Sequence, residues 1–350
     1  MKSGYYALHQ FGSAFLGPAF NSYLRAVHDS ANAKESKVPV CLAREGWSIH
    51  RLLVRTSDIF DTSLPSPVYL KVSRTILFKA LLGEEIVYAS ALKNDFQGSL
   101  LSLLIKRFGL TFDEVFERFS PEVFSSVVSL PNDKENVESL LRNVEQSLRD
   151  LVAPTRAALI SYLKSEGLSE SNVTALMLDL GYSGTIQKLL TYLLQKDTEG
   201  LYFIASKSGK TDVGGKTAKM SGVFFNDVVW GEDCVMLERS LFFESLMTAP
   251  HGQVVDIREM ADGHFEFIYG REAATQHYFQ DLKTVIDGGI SAAKEGVQSG
   301  VKYTPDEVSA LYAVFAKTPG ALPASVSHLF NVEDDFSGNG IVDAKQMFRV

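Results

Sequence analysis

Residues 175–187 read Ala-Leu-Met-Leu-Asp-Leu-Gly-Tyr-Ser-Gly-Thr-Ile-Gln, and their pattern decides the fold. An apolar run (173–178) ends on Asp179, and a tight turn (181–185) follows. Ile186, Leu189, Leu190 and Leu193 then recur at helical spacing. The stretch reads as a buried strand, a carboxylate at its carboxyl end, and a small-residue loop opening a helix. Unpaired backbone N–H groups and the positive end of the helix dipole favour an anion at such a loop. Asp179 stands beside that anion, placed to hold a sugar hydroxyl or a metal ion. The expected ligand is a phosphorylated sugar or nucleotide.

The same order recurs outward from this stretch. Leu42-Ala-Arg-Glu-Gly-Trp-Ser-Ile-His50 also runs from strand through tight turn to helix. It puts Arg44, Glu45 and Gly46 at a strand's carboxyl end, the edge where open α/β sheets bind ligands. Arg44 can fork onto a phosphate, and Gly46 can let the backbone come close. Val68-Tyr-Leu-Lys-Val-Ser-Arg74 repeats the geometry, with Lys71 inside the run and Arg74 at its end. Charges commonly flank buried strands, so the expectation worth testing is that all three ends meet at one sheet edge.

Strands are expected near 38–43, 68–73, 173–178, 201–205, 253–258 and 263–269. Helices are expected over 5–30, 47–55, 185–195, 235–248 and 271–298, with Thr304-Pro-Asp-Glu307 capping another. The stretch 74–165 reads as helical throughout, with a capping box at Thr111-Phe-Asp-Glu114. Strands alternating with helices imply an α/β fold with a mostly parallel, Rossmann-like sheet and helices on both faces. The core would comprise 1–80 and 166–270, with a helical insertion at 81–165 and a C-terminal helical region at 271–350 packed on the core.

With 350 residues, 45% of them hydrophobic, the chain can bury a large core, and a net charge of −8 argues against a nucleic-acid partner. Cys41 and Cys234 provide neither a disulfide framework nor a metal spacing, so a reducing, cytoplasmic setting is expected. The apolar stretch 5–27 is interrupted by His9, Gln10, Pro18, Asn21 and Arg25. It reads as an amphipathic helix rather than a signal peptide or membrane span.

Several motifs imitate chemistry. Gly214-Gly-Lys-Thr217 lacks the earlier glycine of a phosphate loop, because Lys210 stands there; the Gly- and Lys-rich segment 207–219 is expected to be a mobile loop. Asp58-Ile-Phe-Asp-Thr62 resembles the nucleophile motif of haloacid-dehalogenase-type phosphatases, but Val-Arg-Thr-Ser precedes it where that chemistry needs a buried strand. Asp335-Phe-Ser-Gly-Asn-Gly340 copies half a calcium loop, yet its twelfth position is Gln346, so it reads as a turn. Glu244 lies near a helix end and His251, in Pro250-His-Gly252, near a strand start; His251 could serve as a base or phosphate ligand.

Taken in order, Phe15-Leu-Gly-Pro18, Leu42-Ala-Arg-Glu-Gly-Trp47, Val72-Ser-Arg74, Asp179-Leu-Gly-Tyr-Ser-Gly-Thr-Ile-Gln187 and Ala249-Pro-His-Gly252 resemble the phosphoribosyltransferase-type domain of bacterial polysaccharide-assembly proteins. That domain is often fused to a haloacid-dehalogenase-type phosphatase, and the resemblance spans roughly 5–260. It implies transfer of 5-phospho-ribofuranose from phosphoribosyl pyrophosphate (PRPP) to a sugar hydroxyl of an O-antigen or capsular glycan, with inversion to a β-ribofuranoside. A lipid-linked glycan acceptor, magnesium and a dephosphorylating partner enzyme come with it as expectations, as does work at the inner face of the cytoplasmic membrane. Under this resemblance Gly181, Ser183, Gly184 and Thr185 hold the 5-phosphate, Arg44 and Arg74 the pyrophosphate, and Asp179 the ribose. Gly46, Lys71, Tyr182 and Gln187 join them as substrate-binding residues, and the base is Glu45, Glu244 or His251. This chain has one acid where ordinary phosphoribosyltransferases carry two, and Glu45 where many relatives have Asp. Two other readings compete: a phosphatase using Asp58, and a sugar-phosphate-binding module without turnover.

Overall fold

The computed structural model describes residues 3–31, 37–61, 64–170 and 173–350; Thr62 of the phosphatase-like motif lies outside them. Six strands form the central sheet: β1 (Lys37–Leu42), β2 (Val68–Leu70), β3 (Thr174–Asp179), β4 (Thr198–Ala205), β5 (Gly209–Val213) and β6 (Lys216–Asn226). Their order across the sheet is β2-β1-β3-β4-β6-β5. All neighbours are parallel except β5, which returns antiparallel along β6. Val40 pairs with Val68 on one side and Met177 on the other, and Leu178 pairs with Leu201. The fold is therefore mixed α/β with a mostly parallel sheet.

The strands read as unbroken apolar runs because both sheet faces are covered. Successive side chains alternate between faces: Cys41, Leu176 and Leu178 join one core, while Val40, Leu42, Ala175 and Met177 join the other. The first core is roofed by α1 (Ser3–Phe15), α2 (Gly17–Ala31) and α3 (Ala43–Arg55), through Phe15, Phe20, Ile49 and Leu52. The second is roofed by α4 (Arg74–Ala80), by α5 (Thr185–Leu194) through Leu189 and Leu190, and by the insertion. The helix expected over 5–30 breaks after Phe15, where Gly17 and Pro18 restart it as α2.

The helix after β1 thus packs on one face and the helix after β3 on the other. The chain builds outward from β1 to β2, then crosses to β3 on β1's opposite flank. That reversal leaves a crevice beyond the carboxyl ends of β1 and β3, where open α/β sheets take ligands.

Four expectations need correction. The insertion is not helical throughout: Phe96–Ser99 and Val127–Leu130 pair as an antiparallel hairpin, with Val128 and Leu130 buried at period two. Segment 207–219 is not a mobile loop but mostly the hairpin β5–β6, turned by Gly214 and Gly215, whose φ values of 62° and 79° suit a tight two-residue turn. The strands Val254–Glu259 and Phe265–Tyr269 form a separate antiparallel pair against the long helix Glu145–Ser165, where Tyr162 meets Phe265 and Phe267 edge-on. The C-terminal region is not purely helical, since Asn331–Asp334 and Gly340–Asp343 form a hairpin around a short 3-10 turn. Among the described residues no helix is long and apolar enough to cross a membrane.

Candidate functional site

The turn after β3 is built for close backbone approach. Gly184 has a φ of +63° and caps α5 with no side chain of its own. A Cβ there would lie 1.9 Å from Met220 Sδ. Lys188 is the residue whose N–H reaches back to Gly184 O (2.9 Å), so the N–H groups before it in the first turn have no intrahelical partner. Ser183 and Thr185 set their hydroxyls 3.1 Å apart in the same turn. Lys188 also donates to Ser183 O (2.8 Å). Burial, and then the like charges of Lys93 and Lys207, lower its pKa. Lys188 puts an ammonium group beside an uncapped helix start, which favours negative charge there. Gly184→Ala is expected to cost roughly 1–3 kcal/mol from left-handed strain and overpacking. Urea melts would measure it, and a wild-type midpoint would mean that the turn tolerates a side chain.

The facing turn follows β1. Ala43 has a φ of +57°, costly for a residue with a Cβ, and it starts the turn that carries Arg44 and Glu45 to the crevice. Here α4 contributes Arg74, its start capped by Ser73, whose Oγ accepts from Ile76 N–H (3.1 Å). Between the turns lies a cavity of 280 Å³. It is lined by Ala43, Arg44 and Glu45 after β1, Val72, Ser73 and Arg74 after β2, and Asp179 to Ile186 after β3, with Tyr202, Glu244 and Gln253.

Three carboxyl groups and two guanidinium groups therefore share one small space. Burial, then Glu45 and Glu244, hold Asp179 well above the ordinary aspartate range, against the pull of the Leu180 N–H and Arg74. Asp179 Oδ1 accepts from that N–H at 2.8 Å. Burial and Glu45 push Glu244 up to about 7, and Tyr182 Oη donates to its Oε1 (3.2 Å). For Arg44, burial opposes the charge, but Glu45, Glu333 and Glu244 outweigh it and raise the pKa. Arg44 Nη1 lies 3.0 Å from Glu333 Oε2, and Arg74 stacks over Phe336 with its Cζ 3.7 Å from the ring centre.

Of the residues singled out from sequence, Arg44, Glu45, Arg74, Asp179, Gly181, Tyr182, Ser183, Gly184, Thr185 and Glu244 meet at this cavity. Four do not line it. Gly46 packs against β1, where a Cβ would sit 2.6 Å from the Cys41 carbonyl carbon, so its role is helix–strand contact. Lys71 points its ammonium at Phe267, 4.9 Å from the ring centre. Gln187 is buried, donating to Thr198 Oγ1 and Lys219 O (both 3.0 Å) and accepting from Tyr202 Oη (2.8 Å), so it steadies the Tyr202 that lines the cavity. His251 is engaged by Tyr69 Oη (3.0 Å) and Gly252 O (2.8 Å). Because that carbonyl only accepts, Nδ1 carries the proton and Nε2 accepts from Tyr69.

Asp58 is exposed, bound by Lys294 (2.8 Å) and not part of the cavity. Asp335 of the calcium-like turn is taken by Arg271, and Asp334 by Ser337 N–H and Asn339. Sequence reasoning missed Glu333 and Phe336, which hold the two arginines from the C-terminal hairpin. No local pattern marks them; they lie 289 positions from Arg44 in the case of Glu333. It also missed Gln253, Tyr202 and Lys188.

Among the described residues no cluster of three or more His, Cys, Asp or Glu groups could hold a metal ion by itself. The chain matches no family model and no curated protein sequence.

Proposed function

We propose that the chain is a PRPP-dependent glycosyltransferase of the phosphoribosyltransferase-like, Rossmann-related class. It moves 5-phospho-ribofuranose to a sugar hydroxyl of a bacterial surface glycan. One observation carries the reading: an uncapped, glycine-turned helix start, two guanidinium groups and a buried carboxylate line one cavity. Two kinds of anion-binding group, backbone amides and guanidiniums, together with an acid suit a donor that carries both a phosphate and a pyrophosphate.

In this reading the N–H groups and hydroxyls of Ser183, Gly184 and Thr185 hold the 5-phosphate, aided by the charge of Lys188. Arg44 and Arg74 take the pyrophosphate, and Asp179 takes the ribose hydroxyls. The C1–O bond to pyrophosphate breaks with its electron pair leaving on pyrophosphate, and the acceptor oxygen forms the new C1–O bond from the opposite face. The acceptor proton passes to Glu244, whose pKa of about 7 suits a base near neutrality. Asp179 stabilises positive charge developing on the ribose ring. The three carboxyl groups fit a magnesium ion only when phosphate oxygens supply most of its ligands, as magnesium prefers. Asp179 or Glu45 would then contribute one ligand each, and the ion would neutralise charge on the leaving group.

Pyrophosphate release from PRPP in the presence of acceptor glycans tests the reading; no release with any acceptor, despite PRPP binding, would leave a binding module without turnover. A phosphatase acting through Asp58 predicts phosphate release without PRPP, which Asp58→Asn would abolish. Glu244→Gln is expected to lower kcat/KM by about 10²–10⁴-fold and to remove the rise in rate as pH passes through about 7. A pH profile that keeps this limb in the variant assigns the base elsewhere.

A further inference from the structure

We infer that Val229 and Trp230, in the loop leaving β6, form a stacking platform for the neutral sugar ring of the acceptor glycan, an inference that rests on the transfer reading above. Trp230 keeps 62% of its surface exposed and Val229 54%, making Trp230 the most exposed aromatic side chain among the described residues. Tryptophan is highly buried on average, so an indole left this open offers a flat apolar face to a partner.

The loop's position ties it to the cavity. Strand β6 is parallel to β4, so its carboxyl end lies on the same sheet edge as Asp179 and Arg44. A chain of hydrogen bonds joins loop and site: Ser206 N–H donates to Tyr182 O (2.9 Å), Asp227 N–H to Ala205 O (2.8 Å), and Ser208 N–H to Asp227 Oδ1 (2.7 Å). Beyond the loop the chain passes through a short helix (Val235–Glu238) and then enters α6 (Leu241–Met247), which carries Glu244. The segment thus links, through these bonds and along the chain, the 5-phosphate turn to the helix that carries the proposed base.

Charge selects the occupant. Asp227, Glu232 and Asp233 flank the tryptophan, and no Lys or Arg lies between Asn226 and Cys234. Ser208 holds both Asp227 oxygens, so the exposed Glu232 and Asp233 are the groups that repel a uronate or phosphorylated acceptor and accept hydrogen bonds from sugar hydroxyls. An indole face covers the C–H face of a pyranose, while acids around it bind the hydroxyl rim. A neutral hexose chain is the class that satisfies both.

The chain has two tryptophans, Trp230 and Trp47, the latter packed edge-on to Phe279, so Trp47→Phe isolates the emission of Trp230. The full chain would be titrated with neutral mannose-, galactose- and glucose-built tetrasaccharides, and with tetragalacturonate as the charged counterpart. Neutral oligosaccharide is expected to change the emission saturably, tetragalacturonate to do so at least tenfold more weakly, and Trp47→Phe to keep the response. Trp230→Ala is expected to lose it and to raise the acceptor KM about tenfold, with the PRPP KM and kcat unchanged. Emission unmoved by every neutral oligosaccharide, a response that survives Trp230→Ala, or equal binding of tetragalacturonate overturns the platform. Loss of PRPP-dependent pyrophosphate release in the wild type, with the emission response intact, overturns the transfer reading instead.

Discussion

Asp179→Asn is expected to melt at a higher temperature than the wild type at pH 8 while releasing pyrophosphate about 10²–10³-fold more slowly. The two effects have one cause. Burial, followed by Glu45 and Glu244, raises the Asp179 pKa well above its ordinary value of 3.8. The native chain therefore binds this proton more tightly than the unfolded chain does. Its stabilising contribution is full below the unfolded value and is lost as pH rises through the native one. Above the unfolded value the wild type pays for folding either by burying a charge crowded by two others or by taking up a proton to avoid it. Asparagine keeps an oxygen for the Leu180 N–H, now 2.8 Å from Oδ1, and never acquires that charge. The stability difference should shrink as the pH is lowered toward the unfolded value. Calorimetry at several pH values and a pyrophosphate-release assay measure both halves. Wild-type turnover in the variant removes Asp179 from the mechanism, and a lower melting temperature at pH 8 contradicts the crowding argument.

Arg44→Met is expected to fail in both respects. Its guanidinium is the ion-pair partner of Glu333, whose side chain is 2% exposed, and cutting one member of a buried pair typically costs about 3–5 kcal/mol. Burial already lifts the Glu333 pKa, with Arg44 the largest opposing influence. Without Arg44 that pKa rises further, so the variant's deficit should be greatest at alkaline pH and shrink as Glu333 takes up a proton. The double variant Arg44→Met/Glu333→Gln separates the roles: it should regain most of the stability and none of the turnover. Urea unfolding at two pH values, together with the release assay, decides the matter. A double variant with restored turnover would make Arg44 a structural residue only.

These two residues also mark how far the sequence reaches. Asp179 was legible because a strand end, a glycine turn and a helix start follow one another locally, and each has its own chemical signature. Gly184 was legible for the same reason, although its quarrel with Met220 was not. Arg44 was legible as a charge at a strand end, but its partner was not. Glu333 belongs to a hairpin that the sequence suggested only as a turn, and nothing within a helical or strand period connects it to residue 44. Gln187 and His251 show the opposite error: polar residues near a motif were read as ligands, whereas one is locked in a buried hydrogen-bond network and the other between a tyrosine and a carbonyl.

By itself the sequence determined the alternation of strand and helix, the turns with open amides, and the charges that end β1 and β3. Those properties depend on hydrophobic period and turn chemistry, which act over a few residues. Only the tertiary structure decided that β3 lies beside β1 on the flank opposite β2, and hence that Arg44, Arg74 and Gly184 surround one cavity. It also decided that segment 207–219 closes the sheet as a hairpin rather than forming a mobile loop, and that the C-terminal hairpin braces both arginines. Strand order and long-range ion pairs are settled by which buried surfaces fit together across the whole chain, and no local window of residues contains that competition.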